Sequence, residues 1–201
     1  MKTYIDKFKN RNASLSDIDS YTRFSILVPI IETAEGDSLL FEVRSEKLNR
    51  QPNEICFPGG RIEGQEESMR AAVRETSEEL LLPEDKVEVF GELDTLVTPF
   101  NTVIYPFIGI LHDYAGTFSP EEVKETFTVP LPFIMETEPL CHYIDVEMCP
   151  GDDFPYEMIQ QGTNYPWRRG RYPVYFYTYQ DRIIWGITAR IMKDYVYIMK
   201  K

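Results

Sequence analysis

The sequence predicts an α+β fold, a mixed β-sheet sandwiched between helices. Three observations carry this reading. Short strand-like apolar runs recur along the chain, helical periodicity is confined to a few segments, and strands precede and follow the helices without strict βαβ alternation. "FSILVPII" and "SLLFEVR" flank the turn-rich "ETAEGD" and read as a hairpin. "EICFPGG" ends a further short extended segment, and Gln65 to Leu82 then has helical periodicity. "KVEVFGELDTLVT" and "TVIYPFIGILH" are two more strand regions. The stretch from Ala115 to Tyr172 holds many of the prolines and reads as mostly loop, with short pieces of structure. "PVYFYTYQDRIIWG" predicts a strand hairpin turning at Gln180-Asp181, and "ITARIMKDYVYIM" an amphipathic closing helix.

The 201 residues suit one domain with a sizeable core. Hydrophobic content of 43% and charged content of 27% are those of a soluble globular protein. "FSILVPII" is too short to span a membrane, and "MKTYIDKFKNRNAS" lacks the apolar core of a signal peptide. Cys56, Cys141 and Cys149 show no metal-ligand spacing and read as reduced thiols of a cytoplasmic protein. A net charge of −12 disfavours nucleic acid and anionic membrane as partners. It leaves room for an anionic small molecule if a metal ion inverts the charge locally. A homodimer is compatible with this reading.

The acidic segment after Gly59-Gly60 carries the chemistry. At 100° per residue, Met69, Ala72, Val73, Thr76 and Leu80 share one side of the helix and are expected to face the sheet. Glu75, Glu78 and Glu79 stand at i, i+3 and i+4 and converge on a neighbouring face. Like charges at this spacing repel. They make chemical sense around a hard divalent cation, which takes oxygen ligands. On spacing alone a solvated acidic face remains an equal alternative, since Glu is a good helix former.

From Gly60 the segment reads Gly, five residues, Glu66, seven residues, Arg74-Glu75, two residues, Glu78-Glu79. This resembles the Nudix box of the Nudix hydrolase superfamily, with the box at 60–82. Thr76 stands where the motif has an aliphatic residue. Leu81 stands where it has a late Gly, and Pro83 is expected to stop the helix in its place. The resemblance implies a Nudix fold and Mg²⁺ or Mn²⁺ as cofactor, with Glu75 and Glu79 as principal metal ligands. Glu78 would be a further ligand and, with Arg74, a catalytic residue of the box. Arg74 would orient the carboxylates, and Glu66 would brace the helix entry or join the metal shell. Gly59 and Gly60 would let backbone approach phosphate and metal. The implied reaction is hydrolysis of a nucleoside diphosphate linked to another moiety.

Upstream, "RSEKLNRQPNEICFPGG" resembles the extra signature, here 44–60, of the coenzyme A pyrophosphatases within that superfamily. Arg44, Ser45, Leu48, Gln51, Glu54, Ile55, Phe57, Pro58, Gly59 and Gly60 match it without a gap. Asn49 replaces its usual Arg. Asn53 replaces its usual Gly, a change that Asn tolerates because it accepts a left-handed backbone. The resemblance implies coenzyme A or its derivatives as substrate, with Arg44, Ser45, Gln51 and Gly59 in contact with it. Leu48, Ile55 and Phe57 read as packing residues.

Beyond the motifs, Glu122 is a candidate catalytic base, against the alternative of a capped helix start at Ser119-Pro120. Arg168, Arg169 and Arg171 could meet a phosphate but read better as a solvated basic loop. The segment 141–172 is an unassigned insertion. His112 and His142 carry no partner pattern. Two other functions stay in view: a Nudix pyrophosphatase for ADP-ribose or a dinucleotide, and a binding module of the same fold without catalysis.

Overall fold

The β-branched and aromatic residues after Tyr21 build the first long strand, and the chain then alternates strand and turn up to a single acidic helix. The computed structural model describes residues 2–9, 11, 13–34 and 36–201. The helices are α1 (Lys2–Lys9), α2 (Ser68–Leu80), α3 (Leu131–Glu136) and α4 (Gly186–Met199). The first strands are β1 (Thr22–Thr33), β2 (Gly36–Arg44), β3 (Ile55–Cys56), β4 (Gly59–Arg61), β5 (Val87–Glu92) and β6 (Leu96–Thr98). The later ones are β7 (Thr102–Leu111), β8 (Val123–Pro130), β9 (Leu140–Glu147), β10 (Arg169–Tyr179) and β11 (Arg182–Trp185). The chain divides into two compact units, Met1–Pro29 with Pro58–Ser119, and Ile30–Phe57 with Pro120–Lys201.

In the first unit β4 lies antiparallel to β1, with Ser25 opposite Gly60 and Ile26 opposite Gly59. β5 and β6 are antiparallel to β7. β7 is also the neighbour of β1. The Thr22 N–H bonds Asn101 O, and the Ser25 hydroxyl bonds Tyr105 O, so the partners ascend together and the two strands run parallel. The sheet is therefore mixed, as predicted. Helix α2 packs on β4, β5 and β7. Leu27 and Val28 on β1, Val103 on β7, and Ala71, Ala72 and Leu80 on α2 are fully buried.

In the second unit the end of β1 and β2 form the expected hairpin, with Ile30 opposite Leu39 and Thr33 opposite Gly36. Glu35 of its turn lies outside the described residues. β2 also pairs with β3 and β8. A separate antiparallel sheet has the order β11-β10-β9, and its β10–β11 hairpin turns where the sequence placed it, with Gln180 at φ 55°. Helix α4 packs on β10 and β11, and α3 on β2 and β8.

Two local expectations are corrected, and a third is made specific. The short pieces of structure expected in the stretch 115–172 are β8, α3, β9 and the start of β10. β9 exposes nearly every residue on both faces, so it has no apolar alternation to read, and its signal is the ladder to β10. No helix starts at Ser119-Pro120; a turn leads into β8, and the Ser119 N–H bonds Glu79 O at 2.7 Å. Helix α2 begins at Ser68 and buries Ala71 and Glu79 along with Ala72, Thr76 and Leu80, while Met69 is 48% exposed. The buried face is turned toward Gly59 and Gly60, whose bare backbone lets the helix settle close.

The end of α2 keeps the geometry of the missing glycine. Leu81 sits at φ 50°, ψ 42°, and the cap N–H returns to Ser77 O. The left-handed cap is therefore made by a leucine, which costs about 1 kcal/mol relative to Gly. Pro83 follows it and is not the primary stop.

Candidate active site

The site in the first unit is built on two glycines. Gly59 has φ 145°, and a Cβ there would run into the backbone of Ser25 and Ile26 on β1. A Cβ on Gly60 would run into the carboxylate of Glu75. Only bare backbone fits between β1 and α2 at these positions. Ser25 fastens the same place from below. Fully buried, it donates its hydroxyl to Ser68 O, at the start of α2, at 2.6 Å, and to Tyr105 O at 3.2 Å. Sequence reasoning passed over Ser25, which carries no motif signal.

Arg74 organises the acidic residues. Its Nε donates to Glu66 Oε1 at 3.0 Å, and its Nη2 to Glu66 Oε2 at 3.1 Å and to Arg61 O at 3.3 Å. Its Nη1 donates to Glu75 Oε1 at 2.8 Å and Glu78 Oε2 at 3.4 Å. The Arg74 guanidinium holds the Glu66 carboxyl below its ordinary pKa, and Glu66 in turn raises that of Arg74. Glu66 thus braces the loop that enters α2. Glu79 is 3% exposed and its Oε2 accepts the Gly59 N–H at 2.7 Å. Glu78 is the outermost of the three, its side chain 57% exposed.

The donor set suits a hard divalent cation in kind: carboxylate oxygens, beside backbone stripped of Cβ atoms. Among the described residues no three His, Cys, Asp or Glu side chains converge tightly enough to chelate one as they stand. Arg74 and the Gly59 N–H hold oxygens of Glu75, Glu78 and Glu79 instead. The like charges are thus balanced by a cationic side chain and a backbone dipole.

In the second unit Arg44 ends β2. Its backbone closes the loop 45–54 in both directions, through Arg44 N–H to Glu54 O at 2.9 Å and Asn53 N–H to Arg44 O at 3.0 Å. Asn53 takes the left-handed φ of 61° that the usual glycine would supply, and Lys124 Nζ donates to its Oδ1 at 2.7 Å. Gln51 is exposed at φ 53° and donates to Glu54 Oε2 at 3.0 Å. Ser45 is 3% exposed, and its hydroxyl is turned to Pro120 O at 3.3 Å. Its N–H holds Glu122 O at 2.8 Å, while the Glu122 side chain is exposed.

Of the basic cluster, Arg169 pairs with Glu147 at 3.2 Å and Arg171 lies over the Tyr143 ring at 4.4 Å, while Arg168 is exposed. The segment 141–172 is thus an edge strand and two short turns leading into β10.

A titratable group in this unit escaped the sequence reading. Glu42, on β2, is 1% exposed and accepts Cys56 Sγ–H at 3.2 Å. Burial pushes its carboxyl up to about 7, against the Cys56 hydrogen bond and Arg44, which lower it; Glu122 adds to the rise. Its signal in the sequence was a lone charge inside "SLLFEVR".

Comparison with known proteins agrees with the architecture and motif. The NUDIX domain family model matches residues 22–161. The peroxisomal coenzyme A diphosphatase NUDT7 of Mus musculus is 35% identical over 153 residues, covering 73% of this chain and 64% of that protein. The chain thus spans less than two thirds of the mouse protein's length. The Nudix hydrolase NudL of Photorhabdus laumondii subsp. laumondii is 33% identical over 177 residues, covering 87% of this chain and 83% of its own. The crystal structure of a MutT/nudix family protein from Enterococcus faecalis matches the fold with a TM-score of 0.51 at 12% identity, covering 100% of this chain and 70% of that one. Gly59, Gly60 and α2 lie within the residues that the family model matches. The chain belongs to the NUDIX family.

Proposed function

We propose that this protein is a divalent-cation-dependent pyrophosphatase acting on a nucleoside diphosphate-linked substrate, with coenzyme A or its derivatives the preferred one. The products would be 4′-phosphopantetheine and adenosine 3′,5′-bisphosphate. The observation that carries the reading is the packing of Gly60 against Glu75, with Arg74 gathering Glu66, Glu75 and Glu78 beside them. An acidic helix face that served only solubility would need neither bare backbone nor a shared guanidinium.

Glu75, Glu78 and Glu79, with the Gly60 backbone, would hold Mg²⁺ or Mn²⁺. When bound, the cation neutralises the diphosphate and supplies an activated water. Arg74 stabilises the carboxylates and keeps them from repelling one another. Glu79 links helix to turn through the Gly59 N–H, so α2 and the turn hold one geometry. Glu122 is the proposed base, and Ser45 positions its segment by holding Glu122 O and Pro120 O. Arg44 and Gln51 are the proposed substrate contacts.

The preference for coenzyme A is supported by the segment 44–60 and by the 35% identity to the mouse coenzyme A diphosphatase. Both units are read as one Nudix domain, in a cytoplasmic protein; Cys56, Cys141 and Cys149 form no disulfide. Asn49, exposed where the signature has Arg, favours a second reading, hydrolysis of ADP-ribose or a dinucleotide. A hydrolysis panel of coenzyme A, acyl-coenzyme A, ADP-ribose and NADH in Mg²⁺ and in Mn²⁺ separates the two. Highest kcat/KM on coenzyme A supports the first; highest on ADP-ribose or NADH replaces it with the second.

A further inference from the structure

Among the described residues two carboxylates are buried, Glu79 on α2 and Glu42 on β2. The proposed chemistry uses the first and leaves the second without a task. Glu42 stands two residues before Arg44 on one strand. The extra residue of the bulge here falls on β8, since Val43 faces Glu125 and Arg44 faces Val123. β2 therefore alternates regularly, and Glu42 and Arg44 share a face. Each presents one buried polar atom that has no hydrogen-bond partner, Glu42 Oε2 and Arg44 Nε. Such atoms cost about 1–3 kcal/mol each and call for an explanation.

The surroundings of Glu42 are otherwise fixed. Cys56, opposite it on β3, donates to Oε1, which leaves Oε2 as the one oxygen still open. Thr126 is its opposite residue on β8. The charged or titratable groups that act on it are Cys56 from β3, Arg44 from its own strand and Glu122 from the segment before β8. The end of β1 and helix α3 contribute none of these.

We propose that Glu42 is a positioning residue for Arg44, and that the proton on Glu42 sets how strongly Arg44 binds an anionic group of the substrate. With the proton in place, the guanidinium keeps its full charge for a phosphoryl oxygen. With the proton gone, Glu42 Oε2 becomes an acceptor for Arg44 and cancels part of that charge. Because burial lifts the Glu42 carboxyl to about 7, the exchange falls in the neutral range. Anion binding should be tighter on the acid side and weaker on the alkaline side. The inference rests on Arg44 touching substrate.

The test is the pH dependence of KM from about pH 6 to about pH 8.5 in saturating Mg²⁺. It uses whichever of coenzyme A or ADP-ribose is hydrolysed faster. Wild type, Glu42→Gln, Arg44→Ala and the double variant are compared, so that titration of the substrate and of the metal site cancels in the ratios. KM of wild type relative to Glu42→Gln should rise about tenfold across the range, the size of one pKa unit of coupling. In the Arg44→Ala background Glu42→Gln should add nothing. Cys56→Ala, which removes a hydrogen bond that favours the ionised form, should move the wild-type midpoint to higher pH. A merely structural Glu42 would instead change kcat and leave the ratio of the two KM values independent of pH. Parallel KM profiles in wild type and Glu42→Gln would overturn the inference while leaving the substrate role of Arg44 standing, provided Arg44→Ala raises KM. An Arg44→Ala variant with wild-type KM on every substrate would overturn both.

Discussion

Arg74 and Glu66 face each other as a two-point pair, with Nε to Oε1 at 3.0 Å and Nη2 to Oε2 at 3.1 Å. The pair spans from the turn before α2 to the middle of that helix, and its remaining donor, Nη1, serves Glu75 and Glu78. One guanidinium therefore fixes the entry loop and screens the carboxylates at once.

Glu66→Gln should lower stability at neutral pH by about 1 kcal/mol, the scale of a partly exposed charged hydrogen bond. Arg74 depresses the Glu66 pKa, so this stability is present above the ordinary carboxylate range and is lost as pH falls through the lowered value. Denaturant midpoints of wild type and Glu66→Gln should differ near neutrality and converge in acid. A gap that persists unchanged in acid would mean the pair contributes through shape alone.

The two glycines should fail differently when replaced. Gly59→Ala places a side chain at φ 145° against the backbone of Ser25 and Ile26, so it should cost stability, about 2 kcal/mol or more. Gly60→Ala meets the movable carboxylate of Glu75. It should lose activity far out of proportion to its loss in melting temperature. Equal effects on folding and turnover at Gly60 would remove that residue from the site.

Much of this was legible in the residues, and the failures share a cause. The β1–β2 hairpin, β10–β11 and α2 announce themselves because their apolar periodicity is local. Asn53 was readable as a left-handed position because Asn is one of the few residues that sit there easily, and its φ is 61°. Leu81 was not, because its left-handed φ of 50° is imposed by the packing at the end of α2 against its own propensity. β9 was hidden for the same reason: a strand exposed on both faces is specified by its neighbour, not by its own pattern. The burial of Glu42 was invisible because β2 is covered on both faces, and alternation cannot mark a buried charge there.

Glu42 should destabilise the protein as pH rises. Its folded pKa is raised from 4.5 to about 7, so the unfolded chain ionises first and stability falls across that interval, then levels off. Glu42→Gln lacks the penalty. Its advantage over wild type should grow between about pH 4.5 and about pH 7, reaching on the order of 1–3 kcal/mol, and stay flat above. Chemical denaturation at several pH values reads this directly, and a difference independent of pH would contradict the assignment.

A cation site should register in folding. Glu75, Glu78 and Glu79 lie within one helical turn, so Mg²⁺ should raise the melting temperature by linkage. Glu75→Gln with Glu79→Gln should abolish that rise. A wild-type melting temperature indifferent to both Mg²⁺ and Mn²⁺ would return these residues to a solvated acidic face.

The most direct measurement is the product analysis of coenzyme A incubated with the full chain and Mg²⁺, beside Glu79→Gln and Glu67→Gln. Glu79 carries the proposed cation and the Gly59 N–H, whereas Glu67 precedes the helix and makes no side-chain cap. Wild type and Glu67→Gln should release adenosine 3′,5′-bisphosphate and 4′-phosphopantetheine in equal amounts. Glu79→Gln should be slower by about a hundredfold or more, the loss of some 2.7 kcal/mol of transition-state stabilisation, while remaining folded. Equal rates in Glu79→Gln and wild type, or intact coenzyme A with every variant in Mg²⁺ and in Mn²⁺, would contradict the assignment.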